Sequence, residues 1–327
     1  MANTPFNVLV LASGSPLGQS IVKALKNSRL PLQIHVADVS DLAAGFYLPE
    51  VFPIILPPVK DPTYLNQLNN YIKKHNICAI FPVIAIEHEF FAINATNFKE
   101  AKVAILSCSS DVYTLCNDKY KSMIHLRNLG LSAPDTTLCE TDEEVESFLM
   151  RNKFPIFIKP RSGASSTDLF KIQSKNQLFG VLNAFPRGHF IAQTFLDDSR
   201  DYTAGVYVSR NRALQSTLLI ERELKFGLSY RGIIFENEDL SKYCLKVAQA
   251  IASHYTINVQ FKIINGQPFA YEINPRLSST TSVRAHFGFN EPDMMLHEAL
   301  GLLDGYVINK RSGRFTRYWQ EHYLENI

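Results

Sequence analysis

The N-terminal third of the chain alternates short apolar runs with helical patterns, and this rhythm constrains the fold more than any other feature. Val8–Ala12, Ile34–Ala37, Ile77–Pro82 and Val103–Leu106 have the pattern of strands, with helical segments between them. Alternation of this kind predicts a parallel sheet with helices packed on it. The chain has 327 residues, enough for two or three domains at roughly 100–200 residues each.

The rest of the chain has a different pattern, with short strands and hairpins that predict mainly antiparallel pairing. Phe154–Lys159 and Phe190–Phe195 read as strands, and Ile257–Ile264 pairs with Pro268–Asn274 around the turn Asn265-Gly266. We therefore predict a mixed fold, α/β followed by α+β. Its predicted units are a Rossmann-like parallel domain at 1–115, a small α+β unit at 116–190 and a larger α+β unit at 191–327.

Charge and cysteine usage exclude several partner classes. The 33 basic and 31 acidic residues give a net charge of +2, which provides no electrostatic reason to expect nucleic acid or a membrane surface as partner. The five cysteines form no CxxC pair, so we expect reduced thiols. The N-terminus lacks a basic region, and Val8–Ala12 is too short for a signal peptide or a membrane span. These features predict a cytoplasmic protein.

A glycine-containing turn follows the first strand, in Ser13-Gly-Ser-Pro-Leu-Gly18, and Asp38 ends the second strand. A dinucleotide fingerprint needs G-x-G-x-x-G so that the backbone can approach the pyrophosphate. Here Ser15 and Pro16 stand between the two glycines. We interpret the segment as a tight turn with Pro16 near the first helical position. NAD(P) binding stays as the alternative.

The most informative segment is a hairpin that carries one carboxylate and several amides. Asn258, Gln260 and Lys262 share one face of a strand, and Glu272 and Asn274 share one face of the next. A two-residue Asn265-Gly266 turn alone would put Gln260 and Glu272 on opposite faces. A three-residue loop or a β-bulge would put them on the same face. Gln260 and Glu272 can bind one ligand together only if they lie on the same face. The alternative is that this is a solvated surface strand.

A basic strand precedes a small, polar loop. In Phe157-Ile-Lys-Pro-Arg161, Lys159 and Arg161 share one face. The loop Ser162-Gly-Ala-Ser-Ser-Thr167 follows and could wrap phosphate with its N–H groups and hydroxyls. The loop lacks the pattern of a Walker A motif. The alternative is an ordinary solvated turn.

These segments, in this order, resemble the ATP-grasp superfamily, in particular its carbamoyl-phosphate-synthase-like branch, over nearly the whole chain. The resemblance is carried by Asn117-Asp-Lys119, Phe154–Arg161, Phe190–Leu196, Asn258-Val-Gln260 and Glu272-Ile-Asn-Pro-Arg276. It implies an ATP-grasp fold preceded by a pre-ATP-grasp parallel α/β domain. The sequence carries a single set of these motifs, with no second copy and no glutaminase segment with a nucleophilic Cys–His arrangement, so carbamoyl phosphate synthesis is not expected.

The resemblance implies a set of nucleotide-binding residues. Those expected at the phosphates and in the flap over them are Lys119, Lys159, Arg161, Ser162, Gly163, Ser165 and Ser166. Those expected at adenine through their backbone are Gln193, Thr194, Phe195 and Leu196. Asp201 is expected at the ribose hydroxyls. Relatives often have Glu at the positions of Thr194 and Asp201.

The resemblance also implies a metal and catalytic set. Gln260, Glu272 and Asn274 would hold one or two Mg²⁺ ions, or Mn²⁺ in their place, through hard oxygen ligands. Arg276 would stabilise the transferred phosphoryl group, with Asn258 close to the metal.

Two further groups have open interpretations. Arg284 could bind a substrate carboxylate or form an ordinary ion pair. Glu87-His-Glu89 follows a strand and could face the acceptor, or it could simply begin a helix.

The predicted function is a carboxylate–amine ligase that activates a small carboxylate as an acyl phosphate with ATP. Its expected partners are a small carboxylate and an amine, without nucleic acid or membrane, and a homodimer is expected because related enzymes are often dimers. One alternative is an ATP-binding regulator without turnover. The other is an NAD(P) oxidoreductase.

Overall fold

The computed structural model describes residues 5–163, 168–197 and 200–324. Its N-terminal unit is a parallel five-stranded sheet in the order β3-β2-β1-β4-β5. The strands and helices are β1 (Phe6–Val10), α1 (Pro16–Leu25), β2 (Leu32–Asp38), β3 (Val51–Ile55), α2 (Tyr64–His75), β4 (Ile77–Phe81), α3 (Ala85–Ile93), α4 (Ala95–Glu100) and β5 (Ala104–Ile105). The predicted parallel unit is confirmed, and a 3₁₀ helix at Ala44–Tyr47 joins β2 to β3.

The strand β3 was not predicted, because Pro53 interrupts its apolar pattern. Proline cannot donate a ladder hydrogen bond and is tolerated mainly at sheet edges. Within the described residues β3 pairs with β2 alone, and it lies at the edge of the sheet. A proline within β3 is therefore compatible with a strand, because the strand lies at the edge of the sheet.

The second unit is a four-stranded antiparallel sheet in the order β6-β9-β7-β8. Its elements, with the two helices that lead into it, are α5 (Ser110–Asn117), α6 (Lys119–Asn128), β6 (Thr136–Leu138), α7 (Asp142–Arg151), β7 (Ile156–Pro160), β8 (Phe170–Ile172), α8 (Lys175–Asn183) and β9 (Phe190–Thr194). The division into units at 116 and 190 stays a prediction. We note that β9 belongs to this sheet, so the sheet extends to Thr194.

The third unit is a six-stranded antiparallel sheet in the order β14-β13-β10-β11-β12-β15. Its elements are β10 (Asp201–Val208), β11 (Gln215–Lys225), β12 (Leu228–Phe235), α9 (Glu238–Ala250), β13 (Tyr255–Ile264), β14 (Gln267–Asn274), α10 (Thr281–His286), α11 (Glu291–Ala299) and β15 (Gly313–Thr316). No helix in the described ranges is long and apolar enough to cross a membrane.

The two faces of the central strands differ in chemistry because side chains alternate along a strand. One face of β10 and β13 is apolar and packs on α9, with Ala204, Val206, Val259 and Phe261 in one buried cluster. The opposite face presents the polar positions, which are Asp201 and Thr203 on β10 and Asn258, Gln260 and Lys262 on β13. The fold therefore directs the polar residues of several strands to one side.

The hairpin of β13 and β14 resolves the question of register. Asn265 and Gly266 have φ values of 50° and 79°, and Ile264 pairs with Gln267, so the turn has two residues. A β-bulge then shifts the register, and Gln260 pairs with Glu272. The extra residue is Tyr271. The same-face arrangement of Gln260 and Glu272 is confirmed, and a bulge produces it.

Candidate functional site

A cavity of about 310 Å³ lies between the four-stranded and six-stranded sheets. Strands from both sheets and the start of α6 contribute its walls. The predicted site residues that line it are Lys119, Lys159, Gly163, Gln193, Thr194, Phe195, Leu196, Asp201, Asn258, Gln260, Glu272, Asn274 and Arg276. The fold thus brings together in one cavity residues that lie more than 150 positions apart.

Three cations, Lys119, Lys159 and Arg276, lie around the Glu272 carboxylate in this cavity. Lys119 and Lys159 are only 7% and 3% exposed. Lys119 Nζ donates to Gly163 O at 2.6 Å, and Lys159 Nζ donates to Tyr271 O at 2.8 Å. Neither lysine is ion-paired with a carboxylate in the part of the chain that the structure describes. The Tyr271 carbonyl belongs to the bulge, so the same irregularity that aligns Glu272 also anchors Lys159.

Burial and charge set the protonation of these groups. Burial lowers the pKa of Lys159 to about 8, and Glu272 opposes this change. Burial also lowers the pKa of Lys119 and that of Arg276. Burial acts to raise the pKa of Glu272, but Lys159 and Lys119 outweigh it, and its pKa is lowered. A buried excess of positive charge is costly in the free protein and favours an anionic ligand.

The side-chain oxygens of the predicted metal ligands already accept hydrogen bonds, from different partners. Glu272 Oε1 accepts from Asn274 Nδ2 at 3.1 Å, and Asn274 Oδ1 accepts from Arg276 at 3.2 Å. Gln260 Oε1 accepts from Arg222 at 2.6 Å. No group of three or more His, Cys, Asp or Glu suited to a metal occurs in the described ranges. One carboxylate with an adjacent amide fits Mg²⁺, which takes its other ligands from water and phosphate. Gln260 fits only if its amide turns away from Arg222.

Sequence reasoning missed a network centred on Arg222. This side chain lies opposite Asp201 in the β10–β11 pairing and is 7% exposed. Its Nε donates to Asp201 Oδ1 at 2.7 Å, and the Tyr271 hydroxyl donates to Asp201 Oδ2 at 2.9 Å. Arg222 therefore links the residue predicted at the ribose to Gln260. In the sequence, Glu221-Arg-Glu223 resembles a solvated strand end, and only the strand pairing distinguishes it.

The predicted adenine-binding segment is fixed by the small sheet. Gln193 is buried, and its Nε2 donates to Thr136 Oγ1 at 3.1 Å. The Thr194 N–H donates to Asp135 O at 3.0 Å. Phe195 and Leu196 follow and line the cavity, with Lys171 Nζ 4.1 Å from the centre of the Phe195 ring. Strand pairing and these bonds hold the segment in an extended form against the cavity.

Arg161 does not reach the cavity in this structure. Arg161 Nε and Nη2 donate to Asp118 Oδ2 at 3.0 and 2.9 Å. Arg161 Nη1 donates to Glu140 Oε1 at 2.8 Å. Its place over the phosphates stays a prediction, since in this structure the carboxylates of Asp118 and Glu140 hold the guanidinium. Ser162 is exposed and is not part of the cavity wall. Ser165 and Ser166 lie outside the described residues.

Arg284 lies inside the protein and pairs with Glu291. Both side chains are fully buried, and Arg284 Nε lies 2.7 Å from Glu291 Oε2. Arg284 also donates to Asn258 Oδ1 and Thr280 Oγ1, each at 3.0 Å. The substrate-binding interpretation of Arg284 is corrected, since the ion-pair alternative describes its position. The Asn258 oxygen is occupied by the same contact.

The glycine-containing turn after β1 uses its N–H groups internally. The Gly14 N–H donates to Asp38 Oδ2 at 2.8 Å, and the Gly18 N–H donates to Ser15 Oγ at 3.0 Å. The Ser15 N–H donates to Ala12 O at 3.0 Å. A Cβ atom on Gly18 would lie 2.4 Å from Ala12 O, so this glycine serves close packing. The segment is a tight turn, as predicted. The N–H groups that would bind a pyrophosphate in the NAD(P) alternative already donate within the protein.

The Glu87-His-Glu89 segment begins helix α3. Glu87 Oε2 accepts from the N–H groups of Val83 and Ile84 at 2.7 and 3.0 Å. Burial raises the pKa of Glu87 to about 7. The helix-start interpretation therefore holds for Glu87, which caps the helix and does not line the cavity.

Two family models match separate parts of the chain. Residues 8–106 match the N-terminal domain of PylC-like proteins, and residues 208–321 match an ATP-grasp family from a biosynthetic pathway with the Ter operon. D-alanine–D-alanine ligase from Neisseria meningitidis serogroup C is 24% identical over 172 residues, covering 48% of this chain and 56% of that ligase. Carbamoyl phosphate synthase large chain from Thermomicrobium roseum is 25% identical over 202 residues, covering 58% of this chain and 19% of that protein. The matches thus span about half of this chain and only part of each relative.

Solved structures share the whole architecture. N5-carboxyaminoimidazole ribonucleotide synthetase from Thermus thermophilus aligns with a TM-score of 0.74 at 16% identity, covering 94% of this chain and 82% of that one. The biotin carboxylase domain of 2-oxoglutarate carboxylase from Hydrogenobacter thermophilus, solved with MgADP and bicarbonate, also aligns at 0.74, with 15% identity and 95% and 74% coverage. The fold and the family match agree with the resemblance in the sequence. Over residues 208–321 the chain matches an ATP-grasp family model, and over nearly its whole length it has the fold of these solved structures.

Proposed function

We propose that this protein is a Mg-ATP-dependent ligase that joins a small carboxylate to an amine through an acyl phosphate. The observation that carries the proposal is the arrangement of Lys119, Lys159 and Arg276 around Glu272 in a cavity between two sheets. Buried cations in excess over carboxylates favour a polyphosphate, because the ligand supplies the missing negative charge.

The nucleotide would lie along the cavity from the Gln193–Leu196 segment to the cations. Apolar side chains on both walls, among them Phe157 and Leu228, offer a surface for a flat base. Asp201 also lines the cavity and would accept from ribose hydroxyls. Lys119 and Lys159 would bind phosphate oxygens as point charges.

Glu272 and Asn274 would hold the metal, which when bound neutralises charge that develops on the transferred phosphoryl group. Arg276 is placed beside them and would bind the same oxygens with its planar fork. The chain supplies little covalent chemistry in such a reaction. Its contribution is position and charge stabilisation.

In the first step, a carboxylate oxygen forms a bond to the γ-phosphorus of ATP, and the bond from that phosphorus to ADP breaks. In the second step, the amine nitrogen forms a bond to the carbonyl carbon of the acyl phosphate. The carbon–oxygen bond breaks with its electron pair on phosphate, and the proton that the amine loses goes to the released phosphate. Lys119 and Arg276 are placed to hold the phosphate oxygens through both steps.

The test is formation of acyl hydroxamate from ATP and a panel of carboxylates with hydroxylamine as the trapping amine. Arg276→Ala is expected to lower the rate about 10²–10³-fold, because it removes one charge stabiliser, while ATP binding is largely kept. Glu272→Gln is expected to abolish Mg-dependent turnover. Normal turnover in both variants would show that the site is wrongly assigned.

The same assay separates the ligase from a regulator that binds ATP without turnover. A ligase forms ADP and hydroxamate together when its acid is present. A regulator binds ATP but forms neither product with any carboxylate. The predicted cytoplasmic location and the homodimer stay predictions.

ATP affinity should depend on pH through Lys159. The pKa of this buried lysine is lowered to about 8, so its positive charge is present below pH 8 and is lost as the pH rises. We expect the ATP dissociation constant to increase about tenfold between pH 7 and pH 9, because one unit above the pKa only about a tenth of the lysine is charged. Equilibrium titrations at several pH values measure this. An affinity that stays constant or increases to pH 9 would contradict it.

A further inference from the structure

A second, smaller cavity of about 200 Å³ adjoins the nucleotide cavity. The two cavities share Lys119, Glu272 and Arg276. The far wall of the second one comes from the N-terminal unit, at Val83–Ala85, and from Tyr113 on α5. It therefore meets the nucleotide cavity at the group of cations, where an acid that attacks the γ-phosphorus would have to lie.

The far wall of this cavity carries no charged side chain. Apart from the three charged residues shared with the nucleotide cavity, its described lining residues are Leu17, Val83, Ile84, Ala85, Tyr113, Cys116, Asn117, Gly163, Ile273, Asn274 and Pro275. None of these side chains is charged at neutral pH. The Cys116 thiol stays protonated, because burial raises its pKa far above the usual range. Ile84 is 42% exposed, so a large apolar side chain faces the opening of the cavity.

Two backbone N–H groups of this wall are already bonded to a side chain. The N–H groups of Val83 and Ile84 both donate to the Glu87 carboxylate. They are therefore not available to a second acidic group of a ligand. Glu87 itself lies directly behind them and would repel such a group when ionised. A second carboxylate against this wall would be desolvated without a cationic partner, which is costly.

We infer that the acid activated by this enzyme is a small monocarboxylate with a compact apolar chain or ring. Its carboxylate would face Lys119 and Arg276, and its apolar part would pack on Val83, Ile84 and Tyr113. The cavity volume limits the size of that part, since an apolar protein cavity of about 150 Å³ holds a molecule such as benzene. The inference rests on the proposed ligase function.

The test compares two acids with the same skeleton, 4-methylpentanoate and butanedioate, in the hydroxamate assay. The second has carboxylate oxygens where the first has two methyl groups. We expect kcat/KM to favour 4-methylpentanoate by about 100-fold or more, because the dicarboxylate buries an unpaired charge. Ile84→Lys should shift the preference toward butanedioate by about tenfold or more. Ile93→Lys, at the last residue of helix α3, is the matched control, since Ile93 is 84% exposed and lines neither cavity.

Equal use of the two acids, or a preference for butanedioate in the wild type, would overturn the inference and leave the ligase function standing. An unchanged preference in Ile84→Lys would also overturn it. If no acid of either class yields hydroxamate although ATP binds, the ligase function itself fails. Binding of ATP to both lysine variants, measured by calorimetry, verifies that the nucleotide cavity is intact.

Discussion

Replacement of Lys159 by methionine is expected to weaken ATP binding about 10- to 100-fold, since a charge-assisted hydrogen bond contributes roughly 1.5–3 kcal/mol. Turnover should fall further, by about 10²–10³-fold, because in the proposed reaction the same charge would stabilise the transferred phosphoryl group. Methionine preserves most of the packing of this buried position. Calorimetric titration with ATP and the hydroxamate assay measure the two effects.

The control for this substitution is Lys175→Met in the same unit. The Lys175 side chain is 54% exposed and pairs with Glu146 on the surface, so the substitution removes a charge without touching the cavity. We expect ATP affinity and turnover of this variant to match those of the wild type. Wild-type affinity in Lys159→Met, with a normal unfolding transition, would show that Lys159 does not bind the nucleotide.

Replacement of Glu291 by glutamine should destabilise the protein by about 3–5 kcal/mol, because it leaves the Arg284 guanidinium buried without a counter-charge. Both side chains are fully buried at a separation of 2.7 Å. Burial raises the pKa of Glu291, and Arg284 and Thr256 oppose that change. Chemical unfolding measures the free-energy difference. An unfolding free energy within 1 kcal/mol of the wild type, the size of a surface pair, would contradict this description.

Gly205→Ala tests the position of the Arg284 side chain, which packs against Gly205. A Cβ atom on Gly205 would lie 2.5 Å from Arg284 Nε and 2.7 Å from its Cδ, so the arginine would have to move. Arg284 holds Asn258 and Thr280, which both line the nucleotide cavity. We therefore expect Gly205→Ala to reduce both stability and ATP affinity. Glu238→Gln is the control, because Glu238 pairs with Lys242 in solvent, and its unfolding should be unchanged.

The sequence predicted the order of units because hydrophobic period and turn residues are local properties. The Asn265-Gly266 turn and the strands beside it followed from such signals. The bulge at Tyr271 did not, since no residue there demands it, and only the chemistry of Gln260 and Glu272 on one face required it. The anchoring of Lys159 by the Tyr271 carbonyl could not be predicted for the same reason.

Arginine positions were the least predictable part of the site. Arg161, Arg222 and Arg284 all carry the same charge in the sequence, but their partners come from other strands and helices. Asp118 holds Arg161 outside the cavity, and Glu291 holds Arg284 in the interior. Arg222 enters the cavity wall because strand pairing places it opposite Asp201. A pattern along one segment cannot distinguish these outcomes, since each depends on the tertiary fold.

The most direct test of the nucleotide site is calorimetric titration of the wild-type protein with ATP and with NADPH, each with and without Mg²⁺. The account predicts saturable binding of ATP at one site per chain, strengthened by Mg²⁺, and no binding of NADPH. An absence of ATP binding, or binding of NADPH in its place, would contradict the assignment of Lys119, Lys159 and Glu272 to a nucleotide site.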